Sequence, residues 1–264
     1  MKKHYLFVLL SVLITSCKPA KQLTDYVNPL LGTATLWEPE DLGYVRTWKQ
    51  RTWGAEVFPG ASLPNAMVQL SPVTQYRSGA GYQYEDSVIY GFTHTNKGHW
   101  NLLHIPLLPV TGTISPSDFC SGYSHRNESA HPGYYQVFLD RYNVNAELTS
   151  TLRCAYHKYT FPKKEDKKLL ADMTRTNNHV SDWEIKKVND HTFAGFQQAG
   201  EKMYFYAVAN RPVTGVEPVV EGDREVRIVR FGEGDGALEL RIGFSFVSEK
   251  NARENLEAEM LGKS

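Results

Sequence analysis

Aromatic and histidine side chains are concentrated between positions 37 and 104 of this 264-residue sequence. The stretch holds four of the five tryptophans and is interrupted by the turn-forming sequences Pro-Gly, Pro-Asn and Gly-Ala-Gly. Flat aromatic faces and polar groups carried by loops over a rigid sheet are suited to binding sugars. The residues are Trp37, Trp48, Trp53, Trp100, His94, His99 and His104, with Arg46 and Arg51 nearby.

Metal and nucleophile chemistry is not indicated. His94, His99 and His104 recur every five residues, which does not place them on one face of a strand. We therefore expect no metal site among them, and we expect at least one to be a structural histidine. The sequence lacks the Cys/His spacing of a zinc site and the G-x-S-x-G of a serine nucleophile.

Composition indicates an ordinary globular chain. The formal net charge is +0, and charged residues make up 22% of the sequence. Because no electric field of one sign attracts nucleic acid to such a chain, we expect no nucleic-acid partner. After Cys17 only Cys120 and Cys154 remain. One disulfide is possible in an oxidising compartment, and the sequence leaves open whether these two residues pair.

The first residues resemble an export signal. Lys2 and Lys3 precede an apolar run from Tyr5 to Ile14, too short to span a bilayer as a helix but typical of a signal peptide. The sequence Ile-Thr-Ser-Cys that ends at Cys17 resembles a bacterial lipoprotein cleavage box. We expect a signal peptide over 1–16, lipid attached to Cys17 and a tether over 17–23. These features predict an exported lipoprotein at the outer membrane, cell surface or periplasm. The alternative is a plain secretory leader.

Short runs with period-two alternation fill most of the remaining chain and predict half-buried strands. Because no helices alternate with them, we expect an all-β fold, a large antiparallel sandwich over 24–248. The runs are 67–70, 134–139, 144–152, 156–161, 168–173, 183–188, 192–197, 203–209, 226–230 and 237–247. The glycine-rich stretch 231–236 lies between two of these runs and is predicted to be a hairpin turn, not a phosphate loop.

The last segment predicts a helix that begins after Ser248, a helix-capping residue type. Ala252, Leu256 and Met260 recur every four residues and define one apolar face. With no further element to cover that face, we expect residues 249–264 to be the start of a connector helix, exposed and fraying.

Several motifs in order resemble glycoside hydrolase family 92. Residues 25–33 read DYVNPLLGT, and residues 58–72 read FPGASLPNAMVQLSP, in which Ala66 replaces the family's usual glycine. Residues 81–84 (GYQY), 89–95 (IYGFTHT) and 131–137 (HPGYYQV) resemble the motifs that follow. The resemblance covers residues 24–264.

The resemblance implies an N-terminal sandwich of the galactose-mutarotase-like supersandwich type, followed by an (α/α)6 barrel. It also implies a calcium-dependent, inverting exo-α-mannosidase that acts on mannose-containing glycans. In the family both catalytic carboxylates and most calcium ligands belong to the barrel. We therefore expect Ca²⁺ for the full-length enzyme, and we expect neither catalytic nor metal-binding residues in this chain. We also expect no turnover by this chain alone. The alternative is a stand-alone carbohydrate-binding lipoprotein.

The family's N-terminal domain contributes loop contacts to the sugar. Where the family often carries an H-x-SG-x-G loop, this chain reads NKGHWN over 96–101, so linkage specificity stays open. Trp100 offers a stacking face, and the polar side chains around it can bond to hydroxyls. The predicted sugar contacts are His94, Asn96, His99, Trp100 and Asn101, with Trp48 and Trp53 as further candidates.

Overall fold

The structure, a computed structural model, describes residues 21–36, 40, 43–45, 54–97 and 101–261, and at positions 97 and 101 it describes the backbone alone. Within these residues, strands predominate and every ladder is antiparallel. Short 3-10 helices occur at Leu23–Tyr26 and His125–Asn127. The helix α1 (Glu249–Leu256) continues into a π-helical turn at Glu257–Leu261.

The strands follow one another along the chain with short connections. They are β1 (Ala61–Ser62), β2 (Gln69–Val73), β3 (Val88–Ile89), β4 (Gly91–Thr93), β5 (Asn96–Lys97), β6 (Asn101–Leu102), β7 (Leu107–Val110), β8 (Ser121–Gly122), β9 (Glu128–His131), β10 (Tyr134–Leu139), β11 (Val144–Ser150), β12 (Cys154–Thr160), β13 (Lys168–Ala171), β14 (Asp182–Asn189), β15 (Thr192–Ala199), β16 (Glu201–Ala209), β17 (Val213–Glu221), β18 (Arg224–Phe231) and β19 (Leu238–Ser245).

Two large sheets form the body of the domain. The first has seven strands in the order β1-β2-β4-β7-β13-β18-β17, and the second has eight in the order β14-β15-β16-β19-β12-β11-β10-β9. Two ribbons, β3–β8 and β5–β6, complete the described sheets. This arrangement confirms the predicted all-β antiparallel sandwich.

The alternation in the sequence becomes the two faces of the sheets. In β11, Val144, Ala146 and Leu148 are buried while the residues between them are partly exposed. In β16 the same alternation buries Met203 and Phe205. Side chains of successive strand residues point to opposite faces, so a single register places alternate residues of a strand in the core.

Large aromatic side chains fill the space between the two sheets. Phe92 comes from the first sheet, whereas Tyr135, Tyr159, Phe193 and Phe205 come from the second, and all five are fully buried. Phe92 lies against Tyr159 with ring centroids 6.3 Å apart, and Phe193 meets Phe205 edge to face at 6.1 Å. Part of the aromatic-rich composition is therefore used in the core.

Helix α1 packs on the second sheet, which corrects the prediction that Leu256 is exposed, while fraying of the helix stays a prediction. Ala252 and Leu256 are fully buried against β16 and β19, whereas Met260 is partly exposed. Close approach requires Gly243 of β19, since a Cβ atom there would lie 2.1 Å from the Ala252 carbonyl oxygen. The Ser248 side chain accepts a hydrogen bond from the backbone N–H of Asn251 at 3.1 Å, which confirms the predicted cap.

The end of the helical segment is also tied to the sheet. The Glu259 carboxylate accepts hydrogen bonds from the backbone N–H of Arg153 at 3.0 Å and from its guanidinium Nε at 2.5 Å. The Thr151 hydroxyl donates to the same carboxylate. Hydrogen bonds from Thr151 and Arg153 hold the pKa of Glu259 below its ordinary value, against the opposing effect of partial burial.

The glycine-rich stretch 231–236 is not a hairpin turn, which corrects the sequence prediction. It carries the chain from β18 in the first sheet to β19 in the second, and these two strands do not pair. Arg211 holds this crossing by donating from Nη2 to the Gly236 carbonyl at 3.0 Å, and Lys167 donates from Nζ to the Gly234 carbonyl at 2.9 Å.

Each sheet ends in a long strand that is paired on one side only. The first ends in β17, which carries Pro218, Glu217 and a largely exposed Val220. The second ends in β14, which carries the ion-paired Lys186 and Glu184.

Both cysteines of the domain are free thiols, so the structure does not join them. Cys154 is buried and Cys120 is partly exposed. Across the residues that the structure describes, no helix has the length and apolar character needed to cross a bilayer.

Candidate functional site

A cleft of about 500 Å³ is lined by loop residues that follow β2 and β13 and by Tyr90. Strand β2 ends at Val73 and β13 ends at Ala171, and the loops that follow them form two walls. Strand β4 begins beside the end of β2, and this places Tyr90 on the floor between them. The lining residues that can contact a ligand are Tyr76, Arg77, Tyr90, Arg175, Asn178 and His179.

One wall of the cleft combines an arginine with aromatic rings. The guanidinium carbon of Arg175 lies 5.8 Å from the ring centroid of Tyr76, 6.0 Å from that of Tyr90 and 5.8 Å from that of Phe119. The Tyr76 and Tyr90 rings are 6.2 Å apart and tilted by 54°. Such cation–π contacts orient both the cation and the rings.

A buried carboxylate holds Arg175 in place. Asp172, whose side chain is only 2% exposed, lies 3.4 Å from Arg175 Nε and 3.4 Å from Arg224 Nη2. The Thr174 hydroxyl donates to the same carboxylate at 2.6 Å. A buried charge requires such partners, so this network fixes the wall and leaves the region with an excess of positive charge.

The hydroxyl of Tyr76 is buried and makes no hydrogen bond to any described residue. Burial, assisted by the charge of Asp172, raises the pKa of Tyr76 well above its ordinary value. The hydroxyl therefore stays protonated and has a donor proton with no partner among the described residues. Few buried hydroxyls in folded proteins lack a partner, which makes this group a candidate for ligand contact.

The hairpin β5–β6 lies beside the cleft. The backbone N–H of Asn177 donates to the Leu102 carbonyl at 3.1 Å and joins the hairpin to the wall that carries Arg175. Asn96 is buried, donating from its side-chain amide to the Ala80 carbonyl at 2.5 Å, and its amide oxygen has no partner among the described residues. The structure thus brings this hairpin and the cleft together.

Several predicted contact residues lie outside the described residues. They are Trp48, Trp53, His99 and Trp100, and Cys17 also falls there. Asn101 begins β6, and only its backbone is described. For these positions the sequence predictions stay predictions.

His94 is a structural histidine and not a group that faces a cleft. It is fully buried, and its Nδ1–H donates to the Ile105 carbonyl at 2.9 Å, because a carbonyl oxygen can only accept. Its Nε2 lies 3.0 Å from His157 Nε2. Both ring nitrogens of His94 are engaged inside the core, so none is free for a sugar hydroxyl. The prediction of His94 as a sugar contact is therefore corrected. At least one histidine of this series is structural, as the sequence predicted.

The two histidines and a tyrosine form a buried chain of hydrogen bonds. Burial lowers the pKa of His94 to about 3 and that of His157 well below its ordinary value, so both rings are neutral. His157 Nε2–H must then donate to His94 Nε2, and the Tyr159 hydroxyl donates to His157 Nδ1 at 2.7 Å. The chain links His94, which directly follows β4 of the first sheet, to β12 of the second sheet.

His104 is also buried. Its Nδ1 lies 2.8 Å from the Thr95 hydroxyl oxygen, and burial lowers its pKa to about 4. The part of the chain that the structure describes contains no group of three His, Cys, Asp or Glu side chains arranged to hold a metal ion. We therefore assign no calcium ligands to these residues.

Sequence reasoning missed the residues that line the cleft. Tyr76 and Arg77 follow one predicted strand, while Arg175, Asn178 and His179 follow another, about a hundred positions later. The available signal was a polar run, 174–179, directly after the predicted strand 168–173. Polar loops at strand ends are where binding residues concentrate.

The architecture and cleft define a two-layer antiparallel β-sandwich domain with a cleft built from its loops. Residues 26–253 match the model of the glycosyl hydrolase family 92 N-terminal domain. The chain belongs to this family, as its motifs predicted.

Solved structures with the same architecture include the family GH92 α-mannosidase BT3965 from Bacteroides thetaiotaomicron, with a TM-score of 0.77 and 26% identity. That comparison covers 92% of this chain and 36% of the mannosidase. A second structure of BT3965, with a TM-score of 0.75 and 26% identity, contains mannoimidazole and matches over 90% of this chain and 34% of that one.

The chain is also similar to a curated protein described as an uncharacterized secreted glycosidase from Arthroderma benhamiae. The two are 24% identical over 88% of this chain and 36% of the relative. This chain therefore spans about a third of the length of the proteins that it matches.

Proposed function

We propose that this chain is the glycan-contacting N-terminal part of an exo-α-mannosidase and that the cleft beside hairpin β5–β6 contacts a mannose-containing glycan. The observation that carries the proposal is the wall of Tyr76, Tyr90 and Arg175 next to that hairpin. Similarity to α-mannosidases, one of them in complex with mannoimidazole, supports the choice of sugar.

The groups in the cleft suit a pyranose. Exposed parts of the tyrosine rings offer apolar faces for the C–H groups of a sugar ring. The Tyr76 hydroxyl, which has no partner among the described residues, is the proposed donor to a sugar oxygen. The exposed side chains of Asn178 and His179 can bond to further hydroxyls. Six residues remain proposed contacts on the evidence of the sequence: Asn96, Asn101, His99, Trp100, Trp48 and Trp53. His94 is not among the proposed contacts, because it is buried.

Glycoside hydrolysis with inversion uses a general acid and a general base on opposite sides of the sugar. We assign neither role to a residue of this chain, and we expect the calcium dependence and the carboxylate pair of the proposed enzyme to come from its barrel domain. The purified chain should therefore release no mannose from an α-mannoside. Measured turnover by the chain alone would overturn this assignment.

Binding can be tested by calorimetry or by NMR titration of the purified chain with methyl α-D-mannopyranoside. A lone monosaccharide contact should give a dissociation constant of about 1 mM or weaker. Tyr76→Phe, which removes only the hydroxyl, should weaken binding about fivefold, the equivalent of one net hydrogen bond of about 1 kcal/mol.

The matched control for this test is Tyr204→Phe, which removes a tyrosine hydroxyl from β16 of the second sheet. Its dissociation constant should equal that of the unmodified chain. Equal binding by Tyr76→Phe and the unmodified chain, or no binding by either, would refute the proposed role of the cleft.

A second candidate function is that of a carbohydrate-binding lipoprotein that acts by binding alone. The packing of helix α1 on the second sheet supports it, because Ala252 and Leu256 are buried by strands of the same domain. The two functions share glycan binding and differ in turnover. Mannose release from a longer protein that contains this chain would favour the enzyme.

Export and lipid attachment at Cys17 form a separate part of the proposal. The relative from Arthroderma benhamiae is described as secreted, which supports export, and the leader sequence supports the anchor. Expression in a bacterium with labelled palmitate should label the unmodified chain but not the Cys17→Ser variant. Equal labelling of both would remove the anchor from the proposal.

A further inference from the structure

A single buried amide joins the loop that carries Arg175 to the segment that follows hairpin β5–β6. Gln197 of β15 is fully buried, and its Oε1 accepts a hydrogen bond from the Ile105 N–H at 2.6 Å. Its Nε2 donates to the Met173 carbonyl at 2.8 Å and to the Arg175 carbonyl at 3.2 Å. One side chain from the second sheet thus contacts both the segment that follows the hairpin and the loop that carries the arginine.

The segment that receives Gln197 has an unfavourable backbone conformation. Leu102, Leu103 and Ile105 have φ angles of 70°, 67° and 56°. This left-handed region is unfavourable for residues with a Cβ atom, and most of all for the β-branched Ile105. Such a conformation persists only where the surroundings hold it, and here the Leu103 N–H also donates to the Thr95 carbonyl at 3.1 Å.

Asn177 forms a second link between the same parts. Its side-chain oxygen accepts from the Arg77 N–H at 2.6 Å, and its own N–H donates to the Leu102 carbonyl at 3.1 Å. Arg77 has a φ angle of 59° and also lies in the left-handed region. Asn177 thus connects the loop that follows β2 to the hairpin, while Gln197 connects the hairpin to the loop of Arg175.

We propose that Gln197 and Asn177 are positioning residues, which couple the hairpin β5–β6 and the two loops of the cleft into one pre-formed unit. The coupling is a property of the described residues, and its effect on glycan affinity rests on the proposed function. Neither residue touches the ligand in this proposal, since Gln197 is fully buried and both act through backbone groups. Groups held in this way need no ordering when a ligand binds.

Amide hydrogen exchange measures the coupling in the purified chain without any ligand. Gln197→Met removes all three bonds of the amide and should raise exchange at Ile105, Asn177 and Arg77 together by about tenfold or more. Gln197→Glu keeps an acceptor for Ile105 but sets a carboxylate against the carbonyls of Met173 and Arg175. Exchange should then rise at Asn177 and Arg77 while Ile105 stays slow.

The matched control is Gln198→Met, the same change one position along β15, where the side chain lies on the opposite face of the sheet and is partly exposed. It should leave exchange at all three amides unchanged. Should Gln197→Met fail to fold, Gln197→Glu decides. The coupling is overturned when exchange rises at Ile105 alone in Gln197→Met, or when Gln197→Glu leaves Asn177 and Arg77 as they are in the unmodified chain.

The functional consequence is tested by titration with methyl α-D-mannopyranoside. Gln197→Glu should weaken binding about tenfold and Gln198→Met should not. Undiminished affinity in Gln197→Glu would overturn the positioning role. An absence of binding by the unmodified chain, together with coupled exchange, would instead defeat the proposed glycan function and leave the coupling standing.

Discussion

Acidification from about pH 7.5 to about pH 5 should destabilise the fold through its buried histidines. His94, His157 and His104 are neutral in the folded chain because burial lowers the pKa of each. In the unfolded chain they return to a pKa of about 6.5. The unfolded state then binds protons first, so the stability that these residues provide is complete above about pH 6.5 and falls as the pH drops towards their folded values.

The magnitude follows from these pKa values. With folded values of about 3 for His94 and about 4 for His104, each residue should remove roughly 2 kcal/mol from the free energy of unfolding at pH 5. His157 changes stability in the same direction. The total exceeds about 4 kcal/mol, which is a large part of the roughly 5–15 kcal/mol by which domains are stable.

Urea unfolding, followed by tryptophan fluorescence at several pH values, measures this dependence. The double variant His94→Leu and His157→Leu removes two of the three titrating groups. Its stability should fall with acid only about a third as steeply as that of the unmodified chain between about pH 6 and pH 5. His131→Gln, which removes an exposed histidine, should keep the full dependence.

Two results would refute this reasoning. The first is an unfolding free energy that stays constant between neutral pH and pH 5 in the unmodified chain. The second is a double variant whose pH dependence matches that of the unmodified chain, because the buried histidines would then not be the groups that bind the protons.

Two further substitutions test the packing and the charges. Gly243→Ala should lower the unfolding free energy by about 1–3 kcal/mol, because its Cβ would meet the backbone of helix α1. Gly122→Ala should change it little, since no atom lies closer than 3.8 Å to the added Cβ. Equal effects of the two substitutions in thermal melts would exclude the close approach. Asp172→Asn should cost about 1–3 kcal/mol because it removes the charge from a buried group that bonds to two partly exposed arginines. Asp118→Asn should cost less than about 1 kcal/mol, because its carboxylate is 69% exposed in its ion pair. Similar losses of unfolding free energy in both variants would contradict the argument from burial.

Alternation in the sequence predicted most long strands because each has one buried face. The run 134–139 coincides with β10, and 203–209 lies within β16. Strand β17 was missed, since Gly215 and Pro218 are uncommon in strands and most of its side chains are at least partly exposed. An edge strand needs fewer apolar residues, so its pattern is weak.

Packing between distant segments could not be predicted from local patterns. The apolar face of helix α1 was evident in the sequence, but its partner depends on Gly243 on the neighbouring strand. The stretch 231–236 has the composition of a hairpin turn, yet the strands on either side belong to different sheets. Turn composition indicates where a chain bends and not which strand it joins next.

The candidate site shows the same limit. The sequence indicated the hairpin region, which the structure places beside the cleft. It did not indicate Tyr76 or Arg175, because these residues meet only through the folding of loops that are far apart in the chain. His94 was misassigned because a polar residue in an aromatic segment gives no sign of a buried partner such as His157.

The two edge strands bear on how the domain behaves in concentrated solution. An unpaired strand edge is a template on which another molecule can add a strand and begin a fibre. Pro218 has no N–H to offer along β17, and Glu217 is charged beside it, while charged Lys186 and Glu184 lie along β14. These residues make both edge strands poor templates for a further strand, which should help the domain resist polymerisation.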